Sequence, residues 1–528
     1  MKLSLIFVAV VAAAPAGAGE QKAAVDLFTA AGEPSPRNAV DEAVFARLKK
    51  LGIQPAGPCT DAVFVRRVYL DAIGTLPTAE EARRFLADKA PDKRSALIGR
   101  LLEREEFADY WAMKWSDLLR IKAEFPINLW PNAAQAYYRW VLASLRENQP
   151  YDRFARELIT GSGSNFRVPQ VNFYRALQSR EPAALAQAVA LTFMGARTDT
   201  WPKERLAGMA GFFSHVGYKY TQEWKEEVIY FDTVKAAQDA AGGKLTGAAF
   251  PDGTAARLSA DTDPREVFTD WLIAPENPWF ARNIVNRVWY WLLGRGIVHE
   301  PDDIRPDNPP RNPELLALLG KELVAGRYDL KGIYRLILNS QTYQLSPVPR
   351  TDKGDPQAEF ACYPIRRLEA EVLADALCQI TGTTESYSSL IPEPFTFIPA
   401  RQRSISLPDG SISSSFLEMF GRPPRDTGLE SERNNDPTAA QRLHMLNSSH
   451  VRRKIEDSRK LRLVFSAARK SPRAAATGIY LTILSRFPTE EELKTVAAYA
   501  QANRTAGGEA LIDLVWALIN SSEFLYRH

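Results

Sequence analysis

The sequence predicts a mainly α protein, irregularly packed from many helices in two domains with a small β-hairpin insertion. Three observations carry the prediction. Residues 277–346 read as three helices with a start or stop signal at each junction. Thr78 and Glu81 form a capping-box pair directly after Pro77. In FADYWAMKWSDLLRI, residues Phe107, Tyr110, Trp111, Lys114, Trp115 and Leu118 fall on one helical face, an aromatic stripe of the kind that fills a core.

Taken in order, residues 1–18 have the form of a secretory signal: Lys2, an apolar run from Leu3 to Ala14, and Ala16-Gly17-Ala18 as a small-x-small cleavage site before Gly19. That run is too short to span a bilayer, and no later stretch is apolar for long enough, so the mature chain is expected to be exported, periplasmic or extracellular, without a transmembrane anchor. Residues 19–39, rich in Ala, Gly and Pro, read as a flexible lead-in. An N-terminal helical domain is expected over 40–220. It starts with DEAVFARLKKLGI, breaks at Pro55 to Pro58, and resumes in DAVFVRRVYLDAIG ahead of the Thr78 cap. Asp92 caps a further helix through Leu102, and later helices are read around 134–145, 153–159 and 183–193. Residues 221–262 read as a connector, in which KLTGAAFPDGTAARLSAD is a small hairpin or a linker.

The C-terminal helical domain is expected over 263–528, opened by Asp263-Pro264. Its first long helix, about 279–293, is apolar on most sides and has one polar stripe, Asn283, Asn286 and Arg287, at i, i+3 and i+4. A helix this apolar is buried, so the stripe must find partners inside the protein. Gly294 and Gly296 end it. Asn312 caps the second helix with Pro313 at its first position, and Asp329 starts the third. In 385–416 alternating residues around Pro408-Asp409-Gly410 predict two short strands and a turn, the β insertion. The carboxy end returns to helix. One echo links the two halves: Val68-Tyr69-Leu70 leading to Leu76-Pro77-Thr78 reappears as Ile479-Tyr480-Leu481 leading to Phe487-Pro488-Thr489. Two copies do not make a solenoid.

Composition narrows the function classes. The 528 residues are 45% hydrophobic and 24% charged, values of an ordinary globular chain. With 66 Lys and Arg against 63 Asp and Glu, the near-balance argues against nucleic acid as the main partner, which needs a concentrated basic face. Three cysteines, Cys59, Cys362 and Cys378, do not make a disulfide framework; one bridge is open to them, and the odd count leaves at least one thiol free. Gly161-Ser162-Gly163-Ser164 lacks the Lys-Ser/Thr ending of a phosphate loop, and no Gly-x-Ser-x-Gly elbow is present.

Several long stretches across both halves resemble one family: FVRRVYLDAIGTLPTAEEARRFL, FADYWAMKWSDLLR, NQPYDRFARELITG, NPWFARNIVNRVWYWLLGRGIVHEPDDIRPDNPPRNPELL, YDLKGIYRLILNSQTYQLS, RRLEAEVLADAL and FGRPPRDTGLESERNNDPTAAQRLHMLNSS. Their order is that of secreted planctomycete-type proteins, which pair a cytochrome-associated domain with a second domain of unknown function. The resemblance implies a haem-type first domain, because many members have Cys-x-x-Cys-His before a Trp and a Phe-Phe pair. In this chain the corresponding stretch runs from Phe193 through Ala196-Arg197-Thr198 to Trp201 and Phe212-Phe213, without Cys or His, and Cys-x-x-Cys-His occurs nowhere in the sequence. Covalent haem needs both thiols and an axial imidazole. No cofactor of that kind is expected, and an electron-transfer role is disfavoured with it.

Two segments are candidates for chemistry. The stretch 421–450 gathers Arg422, Arg425, Glu430, Glu432 and Arg433 before a helix bearing His444. Glu430 and Glu432 on an extended strand would share a face as a carboxylate pair, with His444 as a further acid or base and the arginines as anion-binding groups. The alternative is a salt-bridged loop stitching the domains together. Asp302, Asp303 and Asp307 supply the oxygens calcium prefers, although the spacing is no EF-hand, and a proline-rich turn is the plainer reading. No two histidines have the i, i+4 spacing of a helical zinc site. Asn286 and Arg287 are expected to position these loops, with Arg287 meeting Glu430 or Glu432, or Asp302 or Asp303. The leading function is an exported, haem-free binding or scaffold protein working beside a secreted or surface component. The contrasting one is a hydrolase of a polar or anionic polysaccharide using Glu430 or Glu432.

Overall fold

The aromatic stripe sets the architecture. The computed structural model describes residues 26–243, 247–468, 471–502 and 507–528, so the signal expected at 1–18 lies outside the described residues. Helix Glu105–Leu118 buries all of Phe107, Tyr110, Trp111, Lys114, Trp115 and Leu118. Trp111 lies 5.4 Å from Trp291 and 4.4 Å from Tyr334 between ring centroids, and Trp115 lies 6.1 Å from Trp291. The stripe of the first half therefore packs onto helices Phe280–Leu293 and Leu330–Leu338 of the second. One apolar cluster runs from Val40 to Phe524, so the two regions separated in sequence contribute to a shared core.

The caps at Thr78, Asn312 and Asp329 fall where the sequence puts them, whereas Asp92 precedes Lys93–Leu102 without a capping hydrogen bond from its side chain. Thr78 and Glu81 form a reciprocal capping box on Ala79–Ala87. Asn312 accepts from the Leu315 amide to start Pro313–Ala325, and Asp329 accepts from the Gly332 amide to start Leu330–Leu338. Helix Phe280–Leu293 ends at Gly294. Among the described residues no helix is long and apolar enough to cross a membrane.

The β-structure lies elsewhere than expected. Strands β1 (Gly163–Ser164), β2 (Val216–Tyr220) and β3 (Glu227–Phe231) form an antiparallel sheet in the order β1-β3-β2, with Tyr218 opposite Ile229. The hairpin is thus β2–β3, and residues 221–262 are not a bare connector. They supply the central strand, helix Thr233–Ala241 and a bridge between Ala249 and Ala255. Phe250 packs them down, stacked 4.9 Å from Phe212 and 5.0 Å from Trp271.

The hairpin expected at 385–416 is not formed: there is one bridge, Ser388 to Ser413, and a 3-10 turn, Ser404–Ser406. Side chains take the backbone donors that a ladder needs. Asp375 accepts from the amides of Ser404 and Ile405 at 2.7 and 3.2 Å, and Asp409 from those of Ala123 and Ser411 at 2.9 and 2.8 Å. All three cysteines are free.

The internal echo is structural as well as sequential. Helices Asp61–Ile73 and Pro472–Ile483 are each followed by a left-handed residue, Gly74 (φ 60°) and Ser485 (φ 61°), then by Pro and a capping Thr. Glu492 repeats the part of Glu81, accepting from the Thr489 amide at 2.7 Å. Each glutamate also holds an arginine, Arg104 on Glu81 and Arg486 on Glu492. The two motifs meet directly, because Arg66 in the first donates to the Ile483 carbonyl of the second at 2.7 Å.

Candidate functional site

The polar stripe of helix Phe280–Leu293 is completely buried, and each of its three side chains makes a hydrogen bond. Asn283 donates to the Thr192 carbonyl at 2.9 Å, and Arg287 donates to the Leu191 carbonyl at 2.9 Å. Both acceptors belong to the π-helical turn Ala190–Met194. Asn286 turns to its own following loop, donating to the Val298 carbonyl at 3.0 Å and accepting from its amide at 2.9 Å. Asn286 therefore shapes the loop rather than positioning the acidic segment.

Arg287 meets the carboxylates expected of it. Its Nη2 lies 2.6 Å from Asp302 and its Nη1 3.8 Å from Glu430. Asp302 in turn accepts from the Glu430 amide at 2.6 Å, and Glu430 accepts from the Trp291 indole at 3.0 Å. Burial raises the Glu430 carboxyl above its usual range, against the opposing pull of Lys114 and Arg287.

Beside this triad lie two further ionic clusters. Asp117 accepts from Arg425 at 2.9 Å and from Arg433 at 2.7 Å, and Arg433 continues to Glu371 at 2.7 Å, with Arg422 at 3.6 Å from the same carboxylate. Asp71 accepts from Tyr343, Tyr363, Arg366 and Arg527. Arg527 also holds Glu369, which Lys114 approaches to 2.6 Å. For Glu369 burial acts to raise the carboxyl, but Arg527 and Lys114 overcome it and hold it well below the usual range. These clusters tie helices of the first half (Asp71, Lys114, Asp117) to the loop and helix of the second.

Several expectations need correction. Glu430 and Glu432 sit on a 3-10 turn, not an extended strand, so they diverge. Glu432 accepts from the Asp426 and Thr427 amides at 2.9 and 3.1 Å, and burial raises its carboxyl. His444 lies among Phe416, Phe420 and His450, with centroids 5.6, 6.1 and 5.7 Å away, and burial lowers its pKa. The three groups nominated as acid and base thus have separate surroundings. Arg422, Arg425 and Arg433 are buried against acids of the protein itself.

The aspartates do not form a calcium cradle either. Asp302 faces Arg287, while Arg305 lies between Asp303 (3.2 Å) and Asp307 (3.4 Å). Among the described residues no group of three His, Cys, Asp or Glu is arranged to hold a metal.

Sequence reasoning missed Asp71, Asp117, Glu369, Glu371 and Arg527. A signal was there: Asp71, Lys114 and Asp117 interrupt helices whose remaining pattern is that of a buried core. A cleft of about 930 Å³ is lined by residues including Arg37, Cys59, Asp61, Lys93 and Arg94, and by none of the cluster residues. Within it Asp61 takes both Lys93 at 2.6 Å and Arg94 at 2.8 Å.

Two family models match the chain in sequence order: PSCyt2, a protein of unknown function (DUF1549), over residues 39–209, and PSD1, a protein of unknown function (DUF1553), over residues 264–500. No curated protein and no solved structure matches it. The two matches, in this order and across a shared core, give the chain a paired architecture, a PSCyt-type region followed by a PSD-type region.

Proposed function

We propose that this protein is an exported, haem-free binding or scaffold component that works beside another secreted or surface protein. The observation that supports the reading is the fate of the 421–433 loop. Its arginines and glutamates, the groups best suited to chemistry on a polar polymer, are spent on Asp117, Glu371, Arg287 and Trp291. A catalytic carboxylate pair needs a shared approach for substrate, and Glu430 and Glu432 face different partners. Buried ion pairs of this kind fix one arrangement of the elements they join.

Thermal unfolding of the wild type, Glu430→Gln and Arg425→Ala tests this, with and without sulfated and uronic-acid oligosaccharides, calcium and zinc. The reading expects both variants to unfold at lower temperature. It also expects no ligand whose stabilisation is lost in the variants. A ligand that protects the wild type but neither variant would place a binding site in the loop and overturn the reading. Export is checked separately by the mass of the secreted protein, which is expected to begin at Gly19.

A further inference from the structure

Arg120 is a buried cation that the ionic clusters leave out. It follows helix Glu105–Leu118 in the left-handed region (φ 57°) and is 5% exposed. Among the described residues its guanidinium makes one hydrogen bond, from Nε to the Thr427 carbonyl at 2.9 Å; Nη1 has no partner, and no carboxylate is in salt-bridge contact with it. Burial lowers its pKa to about 10, against the weaker opposing pull of Tyr137, Glu432 and Asp302, so it stays charged at neutral pH. Other buried guanidinium groups without a carboxylate make several carbonyl contacts, although the Arg67 Nη2 also lacks a partner. Arg67 reaches the carbonyls of Tyr343, Leu345 and His528, and Arg367 those of Leu368, Phe420, Asn434 and Asn435. A guanidinium has five N–H donors, and that of Arg120 uses one.

Beside it opens a cleft of about 300 Å³, lined by residues including Arg120, Leu177, Gln187, Leu191, Asp426 and Thr427. Asp426 is already paired with Lys122 at 2.7 Å, which leaves Arg120 as the uncompensated charge. Leu177 and Leu191 make the wall apolar, and exposed Gln187 stands at the rim. One cation, an apolar wall and a volume at the lower end of small-molecule sites describe a ligand with an anionic head and a short body.

We infer that this cleft binds a small organic carboxylate, its anionic group on Arg120 and its body against Leu177 and Leu191. A carboxylate supplies a charge-assisted acceptor of the kind that the fold withholds from this guanidinium. The cleft shares Asp426 and Thr427 with the 421–433 loop of the scaffold reading, but the inference rests on Arg120, and its test reads Arg120 and Gln187 rather than Glu430 and Arg425.

Calorimetric titration of the full-length mature protein at constant ionic strength tests it, with hexanoate, glucuronate and the neutral control hexanamide. At least one acid is expected to bind, and hexanamide is not. Gln187→Glu places a like charge on an exposed rim position and is expected to weaken binding by about tenfold or more. Arg120→Met is expected to abolish binding while the midpoint of thermal unfolding stays level or rises, because a buried unpaired charge has been replaced by an apolar chain. Binding of hexanoate alone identifies an aliphatic acid as the source, and binding of glucuronate alone a uronic-acid sugar; either supports the site. Failure of both acids, equal binding of hexanamide, or wild-type affinity in the variants would overturn it. If Arg120→Met does not fold, Gln187→Glu decides the question.

Discussion

Ser485 shows what a single residue can be asked to tolerate. It ends helix Pro472–Ile483 with φ 61°, its hydroxyl buried and without a hydrogen-bond partner. At the matching place in the first motif the residue is Gly74, where a Cβ would lie 2.5 Å from the Tyr110 ring. A left-handed conformation costs an L side chain about 1–2 kcal/mol, and glycine escapes that cost. Ser485→Gly is therefore expected to stabilise the protein by about 1 kcal/mol, read as a higher denaturant midpoint at unchanged m-value. A lower midpoint would mean that the hydroxyl, or the space it fills, matters more than the backbone.

At the scale of elements, the pairing of helix Phe280–Leu293 with the π-helical turn Ala190–Met194 does most to place the buried charges. The turn closes at Gly195 (φ 62°), where a Cβ would sit 2.5 Å from the Asn283 side-chain oxygen and 2.9 Å from the Pro301 carbonyl. Gly195→Ala meets both the unfavourable dihedral and the collision. A loss of about 2–4 kcal/mol is expected from these together, measured by denaturant unfolding. A loss within experimental error would show that the helix and turn separate more easily than their contacts suggest. The aromatic stripe works at the same scale, and Trp111→Ala is expected to cost about 3–5 kcal/mol by leaving a cavity between two helices and Tyr334.

For the whole molecule, the ionic clusters make stability depend on pH. Burial acts to raise Glu371, but Arg433, ahead of Arg422, holds it below its ordinary value of 4.5, and Glu369 is held well below the same value. A carboxylate with a depressed folded pKa binds fewer protons folded than unfolded. Its contribution is present above pH 4.5 and is lost as pH falls through the folded value. Wild type is expected to lose stability progressively on acidification below that point. Glu371→Gln leaves Arg433 and Arg422 without that countercharge, so at neutral pH it should cost about 3–5 kcal/mol, with a flatter stability profile in the acid range. A parallel downward shift of the whole profile, with its acid slope unchanged, would mean that Glu371 is not one of the linked groups.

Much of the fold was legible because its signals are local. The caps at Thr78, Asn312 and Asp329, the stop at Gly294, and the stripe from Phe107 to Leu118 are each written in a few adjacent residues, and each is realised. Burial of the Asn283, Asn286 and Arg287 stripe followed from helical periodicity, and so did its need for internal partners. Partner choice did not. That Arg287 meets Asp302 and Glu430 was foreseen as one of several options, whereas Asp117 with Arg425 and Arg433, and Asp71 with Arg527, join residues separated by hundreds of positions. The alternation in 385–416 misled for the same reason. Asp375 and Ala123, which lie outside that segment, take part in the hydrogen bonds that replace a ladder. Local pattern fixes which side chains must be buried and where helices begin and end, because those depend on neighbours along the chain. Tertiary structure alone decides which buried charge neutralises which, and leaves Arg120 without a carboxylate, because Coulombic pairing depends on distance through space.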